Sequence, residues 1–256
     1  MNKYLKQAIY AAEKSGSLIL DYFKKIENVS KKNENLRDLV TEVDLVSEKN
    51  ILSILKSKFN KHNFLAEESG FQNNNSHYTW VIDPLDGTVN YTKGIGICVI
   101  SIALNYKKET ILGVIYNPFT QELFYASKGA GAFLNGDRIK VSNNKKIKNS
   151  LLVCAFSANI NHRKKNEYSV FGKLNNDSLG VLRIGSAAYA LALLAKGSID
   201  GFWGHDLYLW DVQAGICLVN EAEGTSHQTN KKKNSINLIC GSSNSIINEI
   251  KKYQKN

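Results

Sequence analysis

The spacing of apolar residues changes near residue 150, and that change restricts the chain to folds that combine sheet with helix. Ahead of it lie strand-length apolar runs joined by short polar turns. Residues 98–106 and 110–116, separated by Lys107-Lys108-Glu109, predict a hairpin, and residues 122–127 with a turn at Asn135-Gly136 extend the same sheet. Beyond the polar stretch 140–149, strand and helix patterns alternate. Strands are expected at 151–155, 181–184, 199–203 and 236–240, and helices near 165–174, 186–196, 212–221 and 245–252. The chain of 256 residues reads as one domain over 1–256, with subdomains of about 1–149 and 150–256 and no internal repeat.

Two helices precede the sheet. Leu5, Ala8, Ile9, Ala12, Ile19, Leu20 and Phe23 recur at helical spacing and predict an amphipathic helix of roughly twenty residues. A second is expected at 45–59. The polar stretch 28–36 reads as a loop leading into Asp38-Leu39-Val40-Thr41-Glu42-Val43-Asp44, where Thr41 or Asp44 can cap the helix that follows. Short buried strands are expected at 63–66 and 80–83.

Composition excludes several classes. Hydrophobic residues make up 43% and charged residues 22%, with only 2 Pro and 18 Gly, which rules out disordered, collagen-like and low-complexity chains. The longest apolar run, 94–106, falls short of the roughly 18 residues a membrane span needs and reads as a buried strand. Lys3, Lys6, Glu13 and Lys14 interrupt the apolar residues of the amino terminus, so no export signal is read there and the expected compartment is the cytoplasm. Cys98, Cys154, Cys217 and Cys240 lie far apart among apolar neighbours and read as buried thiols. A net charge of +10 attracts anions in general, yet the only arginines are Arg37, Arg138, Arg163 and Arg183, and arginine is the preferred reader of phosphates and bases. The lysine clusters are scattered, so a solvated surface is expected and nucleic acid is an open but disfavoured partner.

Three acidic segments end hydrophobic elements. In Phe64-Leu65-Ala66-Glu67-Glu68-Ser69-Gly70 two carboxylates follow a buried run, a pattern that a solvated strand end also explains. Trp80-Val81-Ile82-Asp83-Pro84-Leu85-Asp86-Gly87-Thr88 is more specific. Magnesium binds several oxygens at short range, and Asp83, Asp86 and the Leu85 carbonyl around a proline-fixed turn can supply them. Gly87 has no Cβ to obstruct a ligand, and the N–H groups of Gly87 and Thr88 at a helix start suit an anion. The bland alternative is a strand-to-helix turn capped by Thr88. Asp211, behind Trp210 at the start of a helix, is by itself an ordinary capping residue.

Taken in chain order, DxVTxxD at 38–44, EES at 67–69, WVIDPLDGTxN at 80–90 and WDxxAG at 210–215 resemble the inositol monophosphatase family of magnesium-dependent, lithium-sensitive sugar phosphatases. The resemblance runs from the opening helix to about residue 245. It implies a layered αβαβα sandwich of α+β or α/β class, of the inositol monophosphatase and fructose-1,6-bisphosphatase type, and a homodimer. It further implies a phosphomonoesterase acting on a small polyol phosphate such as inositol 1-phosphate, by direct attack of a metal-activated water. Glu67, Asp83 and the Leu85 carbonyl would hold one magnesium, Asp83, Asp86 and Asp211 a second, and Glu67 would share a third. Thr88 and Asp44 would orient and deprotonate the water, with Glu68 in support. Asp86, Gly87, Thr88, Gly185, Ser186, Ala187 and Asp211 would contact the substrate. Members often carry a Glu seven residues before the WD aspartate to bind inositol hydroxyls; this chain has Gly204 there, with His205 and Asp206 as the nearest replacements. Fructose 1,6-bisphosphate, histidinol phosphate and 3'-phosphoadenosine 5'-phosphate therefore stay open as substrates, as does a binding role for RNA or protein.

Overall fold

The computed structural model describes residues 2–29, 36–156, 167–229 and 234–255. Helix α1 (Lys3–Val29) buries Leu5, Ala8, Ala12, Ser15 and Ile19, a stripe of alternating three- and four-residue steps that faces a sheet. Helix α2 (Leu36–Phe59) starts well before the expected residue 45. The 28–36 segment is therefore not all loop: α1 runs on through Val29, and residues 30–35 lie outside the described residues. Asp44 and Thr41 do not stand at the start of a helix, because both fall inside continuous α2. The inner face of α2 carries Asp44 and Glu48 one turn apart, above Ile51, Leu55 and Phe59.

The first sheet has eight strands in the order β2-β1-β3-β4-β5-β6-β7-β8. They are β1 (Asn63–Ala66), β2 (Gly70–Gln72), β3 (Tyr78–Asp86), β4 (Val99–Tyr106), β5 (Glu109–Asn117), β6 (Glu122–Ser127), β7 (Gly131–Leu134) and β8 (Asp137–Ile139), with a short helix α3 (Thr88–Thr92) after β3. Only β1 and β3 are parallel; the other neighbours are antiparallel. Strand residues divide by the two-residue period: Phe64, Trp80, Ile82, Ile100 and Ile102 pack toward α1 and α2, while Leu65, Val81, Val99 and Ala103 pack the opposite way. Both faces are covered, which is why the 98–106 run reads as continuously apolar.

The second sheet follows the order β10-β9-β11-β13-β12. Its strands are β9 (Leu151–Ala155), β10 (Gly180–Leu182), β11 (Gly201–Tyr208), β12 (Thr225–Thr229) and β13 (Ser235–Gly241). Helices α5 (Ala187–Ala195) and α6 (Leu209–Glu221) lie between the two sheets in one core, and α4 (Glu167–Asp177) and α7 (Asn244–Lys255) cover the outer face. The result is the five-layer αβαβα sandwich. Strand β11 runs five residues past its expected end because a bulge between Gly204 and Leu207 lets pairing with β13 resume. Helix α4 is described only from Glu167, so the expected start at 165 lies outside the described residues. The four cysteines are buried free thiols. Among the described residues no helix is long and apolar enough to cross a membrane.

Candidate active site

The site begins where β3 leaves its partner. Asp83 pairs with Ser101 and Asp86 with Val99, so between these pairs the two residues Pro84-Leu85 on β3 oppose the single Ile100 on β4. Proline has no N–H to lose from the ladder. The freed Leu85 N–H donates to Asp83 Oδ1 at 2.9 Å, and Thr88 Oγ1 donates to the Leu85 carbonyl at 3.1 Å. Gly87 then takes a left-handed φ of 99° and caps α3. The sequence reading assigned its missing Cβ to ligand access; the structure gives a different reason, since a Cβ there would lie 2.6 Å from the Ile97 carbonyl. Thr88 is the first helical residue, not the cap.

Glu67 and Glu68 occupy the turn between β1 and β2. The main-chain N–H of Glu67 donates to Ile82 O at 3.2 Å, which ties this turn to β3. Glu48 holds it from the other side, accepting from the N–H groups of Glu68 and Ser69. Ser47 Oγ donates to Pro84 O at 3.0 Å, so consecutive residues of α2 brace both acidic turns.

The second half of the chain completes the cluster. Gly185, at φ 81°, turns the chain into α5, whose N-cap is Ser186. Asp86 Oδ2 accepts from Ser186 Oγ at 2.7 Å and from Ala188 N–H at 2.6 Å. Asn90 Nδ2 donates to both Ile97 O and Ile184 O at 2.8 Å, fixing the Gly185 turn against α3. Asp211 stands in the first turn of α6 and accepts from the Tyr208 N–H at 3.2 Å. The expected metal-ligating carboxylates Glu67, Asp83, Asp86 and Asp211, together with Asp44 and Glu68, are thus brought within electrostatic reach of one another.

Their proximity shows in their acidity. Burial, then the charges of Glu67, Asp86 and Asp211, push Asp83 well above the usual carboxylate range. Asp211 is raised in the same direction by burial and then by Asp86 and Glu67. Burial raises Asp86 to about 6, against the donors Ser186, Ala188, Ala187 and Gly87. Glu67 reaches the surface, yet surrounding protein raises it to about 7, opposed by its hydrogen bond with Asp83 and aided by Glu68, Asp86 and Glu48. Asp44 rises to about 8 through burial and then Glu68, Glu67 and Glu48. No lysine or arginine forms an ion pair with these groups among the described residues. Nor do three of the described Asp, Glu, His or Cys side chains already enclose a cation cage. The donor set is nonetheless all oxygen and mutually repulsive, which fits a hard divalent cation that draws the carboxylates together.

A cavity of about 190 Å³ opens beside Asp86 and Asp211, with Gly185, Ser186 and Ala187 along one wall. Gly204 contributes no contact and has no room for one: a Cβ would lie 2.7 Å from Leu207 Cδ1 and 3.0 Å from Ala155 O. Of the two replacements, Asp206 lines the cavity, while His205 Nδ1 sits 3.2 Å from Glu167 Oε1. Sequence reasoning missed Glu48 and Arg183, and quoted Asn90 only as part of the motif at 80–90, without its structural role. Glu48 could have been found from its i, i+4 relation to Asp44 within one helix; Arg183 gave no local signal.

The model of the inositol monophosphatase family matches residues 1–255. The Nus factor SuhB of Pseudomonas aeruginosa is 37% identical over 229 residues, covering 88% of this chain and 84% of that protein. The fructose-1,6-bisphosphatase/inositol-1-monophosphatase of Aquifex aeolicus is 33% identical over 264 residues, covering 100% and 98%. The solved inositol monophosphatase of Anabaena (Nostoc) sp. superposes with a TM-score of 0.87 at 35% identity, covering 98% of this chain and 95% of that one. The five layers are those of a family that includes phosphatases and is generally metal-dependent. The chain belongs to the inositol monophosphatase family.

Proposed function

We propose that the protein is a magnesium-dependent phosphomonoesterase acting on a small polyol phosphate of the inositol 1-phosphate class. The observation that carries this reading is the gathering of Glu67, Asp83, Asp86 and Asp211, with no paired lysine or arginine among the described residues, beside a small cavity. Glu67, Asp83 and the Leu85 carbonyl would hold one ion and Asp83, Asp86 and Asp211 a second, with Glu67 sharing a third. When bound, magnesium supplies the positive charge that acidifies water and offsets charge on the transferring phosphoryl group. Thr88 Oγ1 would orient the attacking water and Asp44 would take up its proton, while Glu68 would support that end of the site. The Thr88 N–H would face the phosphate oxygens, beside a Gly87 N–H that donates to Asp86, and Gly185, Ser186 and Ala187 would position the alcohol.

Phosphate release from inositol 1-phosphate, fructose 1,6-bisphosphate, histidinol phosphate and 3'-phosphoadenosine 5'-phosphate, with and without magnesium, tests the reading. Magnesium-dependent turnover of at least one is expected; no turnover of any overturns it. The same reading takes the protein as a cytoplasmic homodimer inhibited by lithium, which light scattering and lithium titration of turnover check. A second role rests on a groove of about 680 Å³ whose lining carries Lys145, Lys146 and Lys148, with Lys252 paired to Glu249 and Asp177 nearby, so that its net positive charge suits an RNA backbone. RNA affinity that falls with salt and survives Asp83→Asn would support it.

A further inference from the structure

Among the described residues, the cavity beside the carboxylates has one cationic group in its lining, Arg183. Arg183 forms no ion pair among the described residues. Asp206, the lining carboxylate outside the metal cluster, is engaged: its Oδ1 accepts from Ser235 Oγ at 2.8 Å, and its N–H donates to Asn237 Oδ1 at 2.9 Å. The positive charge of Arg183 also reaches the wall formed by β9. Burial drives the Cys154 thiol up to about 12, and Arg183 is the charge that opposes the rise. The lining also includes the apolar residues Val153, Ala155, Phe156 and Phe202. Gly204, packed against Leu207 and Ala155 O, leaves no place for an added acceptor on β11.

The cavity is therefore bordered by groups of both charges. Asp86 and Asp211 belong to the carboxylates suited to cations and, through them, to the scissile phosphate. Arg183 adds a guanidinium to the same lining, whose five N–H donors match the oxygens of a phosphate or carboxylate and can engage two of them at once. A neutral polyol gives such a group only hydroxyls, whereas a second anionic group satisfies it fully. We propose that Arg183 makes this cavity selective for small phosphate esters whose alcohol half carries a second anionic group, such as a sugar bisphosphate. The proposal deepens the phosphatase reading above and rests on it.

The test compares fructose 1,6-bisphosphate with inositol 1-phosphate in the wild-type protein and in Arg183→Ala and Arg183→Lys. The ratio of kcat/KM for the bisphosphate over that for the monophosphate is expected to drop about tenfold or more in Arg183→Ala, mainly through KM, with partial recovery in Arg183→Lys. Equal losses on both esters, or an unchanged ratio, overturn the proposal and mark Arg183 as a structural or subunit-contact residue. Calorimetric titration of Asp83→Asn with the two esters reads binding without turnover. Tighter binding of the bisphosphate that disappears in the Asp83→Asn, Arg183→Ala protein supports the assignment, and equal affinities overturn it. If the wild type releases phosphate from neither of these esters nor from the other two of the panel above, the phosphatase reading fails, while the two affinities still decide the role of Arg183.

Discussion

The carboxylate of Glu48 holds the main-chain N–H of Glu68 at 2.8 Å, across twenty residues of sequence, and with a second bond to Ser69 it fixes the turn that presents Glu67. Glu48→Ala removes both acceptors from a buried position. We expect a stability loss of about 2 to 4 kcal/mol, since hydrogen bonds to a charged group are worth roughly 1.5–3 kcal/mol each and do not add fully. Urea denaturation measures this. Glu48→Gln retains one acceptor and should lose about half as much, while weakening magnesium activation in proportion to the freedom gained by Glu67.

Asp83→Asn separates chemistry from stability. The side chain lies on the floor of a repulsive cluster, so neutralising it should leave the metal-free protein as stable as the wild type or slightly more so. Turnover should fall at least about a hundredfold, the scale of losing a group that organises charge in the reaction. Thermal unfolding with and without magnesium supplies the second readout: the wild type should gain stability on adding the ion, and the variant should gain much less. An equal gain in both would remove Asp83 from the ligand set.

Gly204→Glu tests whether the familiar acidic contact can simply be restored. The new Cβ meets Leu207 and the Ala155 carbonyl, a backbone atom that cannot step aside cheaply. Overpacking of this kind costs about 1 to 3 kcal/mol, read from the urea midpoint. We expect no gain in kcat/KM for inositol 1-phosphate; an improved value with undiminished stability would contradict the packing described at β11.

Glu122 sets a pH dependence away from the site. Burial raises its carboxyl, but Lys196 at 2.8 Å, Tyr189 at 2.7 Å and Thr120 at 2.9 Å outweigh burial and leave it below its ordinary value. The folded state therefore binds this proton less readily than the unfolded chain. The resulting stabilisation is complete above the ordinary carboxylate range and is lost as pH falls through the lowered value. Glu122→Gln should cost about 1 to 3 kcal/mol at neutral pH and progressively less in acid, which urea midpoints at about pH 7 and pH 3 compare.

Much of this was legible in the sequence because the chemistry is local. The bulge, the Asp83 and Asp86 pair and the Thr88 hydroxyl all lie within six residues of chain, where proline and glycine punctuate the backbone. Strand β9 matches its apolar run end for end. The start of α2 was not legible, because acidic residues from Asp38 to Asp44 dilute the apolar period and imitate a loop. Strand β12 is polar throughout, an edge strand half open to water, and gives no alternation to detect. Strand β2 is only three residues long. Glu48 and Asn90 act on main-chain groups brought to them by packing, so their helix spacing and motif position mark the residues but not the groups they hold.

The hydrogen bonds from Ser186 and Ala188 to Asp86 bridge one hundred or more residues, and Asp211 joins the cluster from still further along. A ribosome makes these parts in sequence. The acidic turns of the first sheet are synthesised long before the helices that close over them, and until α6 emerges they remain an open cluster of like charges. Whatever this site does, it begins only near the end of translation, so a truncated product carries the signature motif without the working pocket.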